Sequence, residues 1–448
     1  MVPSQFVTYE VAKKLFDLNV ISRATFLSFK KEFAKVMKGL RKEATTTVDW
    51  DAVRDMFDFD DYADGVPINA ANLCPSFHAV QEHVNQLGID MNKDVSIQKR
   101  TSVFATIIDD ARALIAQQLN ISTAELAFMR NATEANNIIN NGLDFNAGEE
   151  VVIWSENHGS NNRAWAIRQQ RNPNIKIITV DLTGATTDQE VINRFVAQVK
   201  PGVTRVVTFS EISNESGLRI PSKDLCSEVH AVDPNVHVHV DGAQGWGVLE
   251  HDLQDMGCDS YAASAHKWFL GPKEAGILYM KAARITNFWP NNFGYDAKII
   301  LPEELYTDAR RFETLGQRND PTLMGLLYTA EILGTIRFTE IDQRIQFLVQ
   351  KLIDGLLAMG YTLTTPTDPA RRHGVVVVHF DNPDEGVALY NWLYKEHRIG
   401  VASTGGLRIC PHIYNTEHHI DRLLAAIQEY NSLPAGDKSS KKTATRKK

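Results

Sequence analysis

The chain has few cysteines, no long apolar run and no excess of positive charge. Its four cysteines, Cys74, Cys226, Cys258 and Cys410, lie far apart and form no CxxC pair, which predicts neither a zinc site nor a disulfide framework. No stretch approaches the roughly 20 apolar residues that a membrane-spanning helix needs. The formal net charge of −8 argues against a nucleic-acid-binding protein, because such proteins need a basic surface. We therefore expect no metal, no nucleic-acid partner and no membrane association.

The remaining composition is that of an ordinary soluble globular protein. With 448 residues, 43% hydrophobic and 23% charged, the chain exceeds the size of one typical core, so we expect two or more domains. The first residues lack the basic segment and apolar core of a secretory signal. These features together predict a cytoplasmic location.

The two ends differ in composition from the middle. Residues 8–43 carry apolar positions at helical spacing, with nine Lys/Arg and four Asp/Glu. This pattern predicts a helical extension within residues 1–67 that packs on the body, and the alternative is a targeting or membrane-surface role. Residues 434–448 contain six Lys/Arg and no large apolar side chain, which predicts a disordered basic tail.

Strand-like and helical patterns alternate between these ends. The strand candidates are 151–154, 175–180, 205–209, 236–240 and 277–280, and two of the helix candidates are 107–119 and 188–199. Such alternation predicts a mainly parallel sheet wrapped by helices, in a large domain over residues 68–325. The pattern then changes to helices up to about residue 359, an apolar run over 374–380 and two more helices, near 385–396 and 417–430. We expect a smaller α+β domain over residues 326–433.

Asp241 and Lys267 carry the most specific chemical signal. Asp241 closes a strand candidate, and Lys267 follows 26 residues later in the run Ser264-Ala265-His266-Lys267-Trp268. Pyridoxal phosphate (PLP) needs an amine to hold its aldehyde as a Schiff base and a carboxylate to keep its pyridine nitrogen protonated. A lone Lys is usually a surface residue and an Asp after a strand often only forms a turn, but the motifs around both residues are too long for that reading. The sequence therefore predicts a PLP site.

In this block the chain resembles the class V aminotransferase family of fold-type I PLP enzymes, and is most similar to its branch of isopenicillin N epimerase-like proteins and amino-acid C–S lyases. The resemblance runs from about Asn69 to about Ile427. It implies an α/β, fold-type I PLP-dependent transferase fold, with a mainly parallel sheet in the large domain and a smaller C-terminal α+β domain. It also implies PLP as cofactor and a homodimer with active sites at the subunit interface.

The resemblance implies a phosphate site at the segment 130–137. Its Asn and Thr residues are typical of a helix start, where free backbone amides and the helix dipole attract anions. The family pattern puts Ala132 and Thr133 on the PLP phosphate. It adds Ser264 and His266 as further donors.

Four other side chains match family positions around the cofactor ring. His158 falls where an aromatic or His ring stacks on the pyridine, although a lone loop His is more often solvated. Asn214 and Gln244 fall where the family hydrogen-bonds the 3′ oxygen of PLP. Asp241 is the partner of the pyridine nitrogen.

Arg408 matches the family's late Arg, which binds the substrate α-carboxylate. A guanidinium fork suits this task because it meets a carboxylate with two parallel hydrogen bonds, and the alternative is a surface ion pair. Asn69 lies in the early substrate-facing loop, residues 69–75. Gln317 stands where relatives often carry a Thr that reaches the phosphate of the neighbouring subunit, so its contact is left open.

The cysteine pattern bears on the reaction. Cysteine desulfurases of this class present a nucleophilic Cys shortly before the carboxylate-binding Arg, yet residues 396–407 contain none and Cys410 lies after Arg408. We predict a lyase (β-elimination, C–S type) or an epimerase in which Lys267 removes the Cα proton of an amino acid. The alternatives are a class V aminotransferase and, less favoured, a cysteine desulfurase or a non-catalytic PLP-fold scaffold. The sequence does not reveal the substrate side chain.

Overall fold

The computed structural model describes residues 48–292, 294 and 307–434 of the 448-residue chain. The helical pattern over 8–43 and the basic tail over 435–448 lie outside the described residues, so both interpretations stay predictions.

Strands and helices alternate along most of the described chain. The strands are β1 (Val66–Pro67), β2 (Leu126–Met129), β3 (Glu150–Trp154), β4 (Lys176–Val180), β5 (Thr204–Ser210), β6 (His237–Asp241), β7 (Ser260–Ser264), β8 (Gly276–Met280), β9 (Val376–Val378), β10 (Ile399–Gly400) and β11 (Leu407–Ile409). The α-helices are α1 (Trp50–Arg54), α2 (His78–Lys93), α3 (Ile97–Lys99), α4 (Ala105–Gln118), α5 (Ala132–Gly142), α6 (Gly159–Arg171), α7 (Asp188–Val196), α8 (Ser222–Val232), α9 (Leu253–Met256), α10 (Ala282–Ile285), α11 (Asp320–Ile336), α12 (Phe338–Ala358), α13 (Pro383–His397) and α14 (Glu417–Ser432). A π-helical turn, Arg100–Phe104, joins α3 to α4.

A seven-stranded sheet in the order β2-β8-β7-β6-β5-β3-β4 forms the centre of the larger part of the described chain. The strands from β7 across to β4 are mutually parallel, and β8 runs antiparallel to both of its neighbours. The predicted α/β architecture with a mainly parallel sheet is confirmed. Ligands of open α/β sheets bind at the carboxyl ends of the strands, so this edge is where a site is expected.

The inner strands of the sheet are buried on both faces, which explains the continuous apolar run of β3. Within β3, Val151 and Ile153 join one apolar cluster, with Ala135, Ile138 and other residues of α5. Val152 and Trp154 alternate with them and join the larger cluster on the opposite face. β3 therefore supplies side chains to both apolar cores.

The C-terminal part is built on two small strand pairs. β9 and β11 pair antiparallel. β1, which precedes the strands of the large sheet in sequence, pairs parallel with β10 in the C-terminal part of the chain. Asn69 continues this contact as a parallel bridge to Cys410. Helices α13 and α14 pack together beside these strands. The division into domains at residues 68, 326 and 434 stays a prediction.

Candidate active site

The start of α5 is fixed against the ends of β7 and β8. Asn131 caps the helix by accepting a hydrogen bond from the Glu134 amide at 3.0 Å, and the Ala132 amide donates to Ser264 Oγ at 2.8 Å. Gly276 allows the close approach, because a Cβ there would lie 2.9 Å from Asn131 Cα. The chain therefore aims a helix N-terminus at the end of β7, next to the Lys267 segment.

This helix start has the donors that a phosphate requires. Within the described residues the Thr133 amide has no hydrogen-bond acceptor, and its side chain is exposed. The Ser264 hydroxyl lies next to this helix start, because its oxygen accepts the hydrogen bond from the Ala132 amide. Burial, followed by the charges of Lys267 and Lys273, lowers the pKa of His266 to about 4, so this imidazole is neutral. Backbone amides at a helix N-terminus together with neutral hydroxyl and imidazole donors fit a phosphate dianion.

Asp241 is buried at the end of β6 and is held by two hydrogen bonds. The Ala243 amide donates to Oδ1 at 3.1 Å, and Asn136 Nδ2, from α5, donates to Oδ2 at 2.8 Å. Each oxygen of this buried carboxylate thus accepts one hydrogen bond, which fixes its orientation. Asn136 lies within the segment predicted as the helix start, but no role was predicted for it, since nothing in the local sequence pairs it with a residue 105 positions away.

The amine of Lys267 interacts electrostatically with the charges of Asp241 and Arg408. Burial lowers the pKa of its amine, Asp241 raises it, and Arg408 lowers it again, with a net fall from the ordinary lysine value. Within the described residues no acceptor binds its ammonium group. An amine of lowered pKa is uncharged more often and is a better nucleophile and base.

The turn after Lys267 is tightly held. The Leu270 amide donates to the Lys267 carbonyl at 3.0 Å, and Leu270 is buried with a φ of 58°, a conformation that is costly for a side chain of this size. Trp268 donates its indole N–H to Gln244 Oε1 at 2.7 Å, and Gln244 Nε2 donates to the Ala71 carbonyl at 3.2 Å. Gln244 therefore joins the Lys267 turn to the loop after Asp241.

Arg408 is buried in β11 with both ends of its fork oriented. One terminal nitrogen donates to the Asn214 carbonyl at 3.0 Å and the other to Asn69 Oδ1 at 3.2 Å. Its Nε is buried without a hydrogen-bond partner in the described part of the chain. The structure thus brings Arg408, Asn69 and Asn214 together from three distant segments.

His158 caps α6 at the edge of the same region. Its Nδ1 accepts a hydrogen bond from the Ser160 amide at 3.2 Å. Burial lowers its pKa first, then the charge of Lys267, while Asp241 raises it and Arg408 and Arg163 lower it. The ring therefore lies within electrostatic reach of the Asp241, Lys267 and Arg408 side chains.

Gln317 is held within its own chain. Its Oε1 accepts a hydrogen bond from Arg100 at 2.7 Å, and Arg100 also pairs with Asp320 at 2.8 Å. Whether it also meets the cofactor of a neighbouring subunit stays open.

Two negative findings apply to the described residues. No helix among residues 48–292, 294 and 307–434 is long and apolar enough to cross a membrane. The same residues contain no group of three or more His, Cys, Asp or Glu side chains arranged to hold a metal ion.

The sequence comparison decides the family. The model of the family Aminotransferase class-V matches residues 73–424. The chain belongs to the class V aminotransferase family. This family consists of PLP-dependent enzymes, and PLP is the cofactor of the present chain.

Relatives of this class V enzyme differ in their activities. An uncharacterized aminotransferase of Schizosaccharomyces pombe is 26% identical over 73% of this chain and 83% of its own length. Isopenicillin N epimerase of Streptomyces clavuligerus is 28% identical over 71% of this chain and 83% of its own length. The solved structure of the cysteine desulfurase CsdA from Escherichia coli matches with a TM-score of 0.74 and 19% identity, covering 86% of this chain and 98% of CsdA. The relatives establish family and fold but not a single reaction.

The residues of this class V enzyme fit PLP at three points. The Thr133 amide and the Ser264 hydroxyl offer hydrogen-bond donors for the phosphate, the buried Asp241 offers a carboxylate for the pyridine nitrogen, and Lys267 offers an amine. In chemical terms this donor set matches the three parts of the cofactor that need a protein partner. The assignment of each residue to its part of PLP is a proposal.

Proposed function

We propose that this class V enzyme acts on an amino acid as a lyase, through β-elimination of the C–S type, or as an epimerase. One observation argues against persulfide chemistry. All four cysteines of the chain are buried, namely Cys74, Cys226, Cys258 and Cys410. A desulfurase needs a reactive thiolate, and burial of a thiol disfavours its thiolate form.

The thiols are also poor nucleophiles. Burial raises the pKa of each of the four, so they are protonated at neutral pH. The thiolate and not the thiol is the nucleophile. Chemistry at Cα or Cβ of the substrate, which needs no cysteine, fits these residues better.

The loop before Arg408 supports the same choice. Ala402 and Arg408 exchange two backbone hydrogen bonds, of 3.0 and 2.9 Å, which close the loop of residues 403–407. Gly406, at a φ of 138°, lies against the Val378 carbonyl, where a Cβ would come within 2.1 Å. The loop therefore lies tightly on β9 and carries no cysteine.

The work of the protein side chains follows from their chemistry. Arg408 would bind the α-carboxylate through its remaining N–H groups, while Asn69 and the Asn214 carbonyl hold the guanidinium plane. Lys267 would take the Cα proton as an uncharged amine of lowered pKa. Asp241 would keep a proton on the pyridine nitrogen, because its buried anion is stabilised by two hydrogen bonds. PLP, when bound, supplies the electron sink that makes the Cα proton removable.

The remaining cofactor contacts are proposed on the family resemblance. Ala132, Thr133, Ser264 and His266 would surround the phosphate, and His158 would stack on the ring. Asn214 and Gln244 would bind the 3′ oxygen, with Gln244 using the amide hydrogen that Ala71 does not take. We also propose a homodimer in the cytoplasm, and light scattering of the purified protein tests the dimer.

Amino transfer is the second candidate. It shares the Arg408 and Lys267 steps up to removal of the Cα proton, so the residues do not discriminate against it. The name of the matching family and the S. pombe relative, an uncharacterized aminotransferase, support amino transfer as this second candidate.

One experiment separates these reactions. The purified PLP-loaded enzyme is incubated in D2O with a panel of amino acids, without a keto acid acceptor, and the products are analysed. A lyase releases a keto acid and ammonia together with the Cβ leaving group, and an epimerase exchanges the Cα hydrogen and inverts the centre without keto acid. Stoichiometric keto acid with conversion of the cofactor to its amine form would show a transaminase half-reaction and refute the proposal. Persulfide on the protein would also refute it.

A further inference from the structure

A line of buried polar side chains runs from Asp241 along β6 and β7 into the sheet. Asn136 Nδ2 donates to Asp241 Oδ2 at 2.8 Å, and Asn136 Oδ1 lies 2.9 Å from His239 Nε2. His239 Nδ1 lies 2.8 Å from Ser260 Oγ, which lies 2.7 Å from His237 Nε2. All five side chains are almost completely buried. Such a network inside a sheet is costly unless every member is satisfied.

The chemistry of the members fixes the direction of every proton in this line. An ionised carboxylate only accepts, so Asn136 must present its nitrogen to Asp241 and its oxygen to His239. His239 then donates from Nε2. Because burial lowers the pKa of His239 to about 3, the ring is neutral, and its Nδ1 accepts from the Ser260 hydroxyl.

The far end of the line agrees with this direction. Since the Ser260 hydroxyl hydrogen points to His239, Ser260 accepts from His237 Nε2. His237 Nδ1 is buried without a hydrogen-bond partner in the described part of the chain, as expected for the unprotonated nitrogen of a neutral ring. Burial lowers the pKa of His237 to about 4, which keeps that ring neutral as well. Each donor in the line thus points toward Asp241.

We propose that Asn136 and His239 are positioning residues that orient the Asp241 carboxylate toward the pyridine nitrogen of PLP and stabilise its negative charge, an inference that rests on the role proposed for Asp241. Four aligned hydrogen bonds place the positive end of each dipole toward the carboxylate. They stabilise its anion without adding a charge to the site. The line also fixes the rotation of the carboxylate, since Asn136 cannot turn without losing His239.

Removing the Asn136 donor makes the prediction quantitative. The titratable groups that interact electrostatically with Asp241 include Lys267, His158, His239 and Tyr261. The Asn136→Leu variant keeps all four, and of these only His239 loses a hydrogen-bond partner, the acceptor of its Nε2–H. A hydrogen bond to a charged acceptor corresponds to a shift of about one to two pKa units. The acid transition of the visible band of the PLP-loaded enzyme should therefore move to higher pH by about one to two units in the variant.

Asn140 offers a matched control on the same helix. It lies one turn after Asn136, is fully buried, and donates to the Asn161 carbonyl at 3.4 Å without contacting Asp241. Asn140→Leu therefore has the same change of shape and polarity at an equally buried position. A purely structural role for Asn136 predicts the same behaviour for both variants.

The test measures PLP affinity and the acid transition of the visible absorption band in the PLP-loaded enzyme and its variants. We expect Asn136→Leu to move the transition to higher pH by about one to two units and to weaken PLP binding, while Asn140→Leu leaves the transition in place. His239→Phe should cause a smaller shift in the same direction, and this shift should vanish when Asn136 is already Leu. If Asn136→Leu and Asn140→Leu lose stability alike and neither moves the transition, the inference is wrong.

Two further measurements separate this failure from others. Asp241→Asn is the reference, because a transition that ignores the loss of Asp241 itself refutes the role proposed for Asp241 and the inference with it. If Asn136→Leu does not fold, 15N NMR of histidine-labelled wild-type protein decides. We expect the Nε2–H tautomer at His239, and an Nδ1–H tautomer there would overturn the proposal because Asn136 would then face Asp241 with its oxygen.

Discussion

Trp268 donates its indole N–H to Gln244 at 2.7 Å, which links the residue after Lys267 to the residue three positions after Asp241. Both side chains are buried. The two halves of the motif that predicted the cofactor site are therefore joined directly by a hydrogen bond between buried side chains.

We expect Gln244→Leu to destabilise the protein by about 1–3 kcal/mol, because it leaves the buried Trp268 N–H and the Ala71 carbonyl without partners. PLP affinity should fall as well, since the Lys267 turn loses its tie to the Asp241 loop. Chemical unfolding and equilibrium dialysis measure the two effects. Gln428→Leu, at an exposed position of α14, is the control and should be nearly neutral.

Lys267→Ala should abolish the covalent attachment of PLP while leaving the phosphate donors in place. Borohydride reduction followed by peptide mass spectrometry should find a pyridoxyl adduct on Lys267 in the wild type and none in the variant. Lys273→Ala removes an exposed lysine of the same segment and should retain the adduct. An adduct of equal yield in Lys267→Ala would mean that another amine holds the cofactor.

Arg408→Ala should weaken binding of the amino acid far more than binding of PLP. Loss of a buried bidentate charge pair costs about 2–5 kcal/mol, which corresponds to a fall in affinity of roughly 30- to 5,000-fold. Asn69→Ala should show a smaller effect in the same direction, because Asn69 only orients the guanidinium. Titration with a carboxylate-bearing inhibitor and measurement of PLP content test this. Equal turnover of amines and amino acids by the wild type would contradict it.

Replacement of all four cysteines by Ala or Ser should preserve the reaction at Cα or Cβ. The expected cost is stability, because each thiol fills a buried site, and about 1 kcal/mol per small cavity is typical. Product analysis at a temperature where the variant is folded checks the activity. Stoichiometric persulfide on the wild type that disappears when one cysteine is replaced would return the chain to desulfurase chemistry.

The sequence predicted those strands whose own residues favour extended structure. β3, β5 and β6 are rich in Val and Ile, and their bounds agree within two residues with the predicted runs. β7 was missed because Ser260-Tyr261-Ala262-Ala263-Ser264 contains no β-branched aliphatic residue, and β2, Leu126–Met129, was missed for the same reason. Their strand conformation comes from pairing with β8, which lies between them, and this long-range context is not visible in local propensity.

Some residues of the candidate site could likewise be predicted from the sequence, and others could not. Asp241 and Lys267 were found because their chemistry is written in two short motifs close in sequence. The contact between Arg408 and Asn69 joins residues 339 positions apart, so only family resemblance brought both to attention. Asn136 and His239 lie within the predicted motifs, yet no role was predicted for either, because side-chain pairs across a helix and a sheet follow from packing and not from spacing.

The last prediction concerns the dependence of stability on pH. Burial lowers the pKa of His412 to about 3 in the folded chain, where its Nε2 donates to the Trp268 carbonyl at 2.8 Å, against about 6.5 for an exposed histidine. The unfolded chain therefore binds a proton below pH 6.5 that the folded chain refuses. His83, His237 and His239 behave alike, with pKa values lowered to about 3, 4 and 3. Because the unfolded state holds more protons in this window, the free energy of unfolding rises with pH and is lost as the pH falls from about 6.5 toward 3.

The magnitude is measurable with a single substitution. At pH 5.5 each such histidine removes about 1.4 kcal/mol of stability relative to neutral pH. His412→Leu should be less stable than the wild type at pH 7.5, because it leaves the Trp268 carbonyl unpaired, but it no longer pays this penalty on acidification. The gap between the two unfolding free energies, measured in urea on the PLP-free proteins, should therefore narrow by about 1.4 kcal/mol between pH 7.5 and pH 5.5. Parallel curves over that range would show that the pKa of His412 is not lowered in the folded protein.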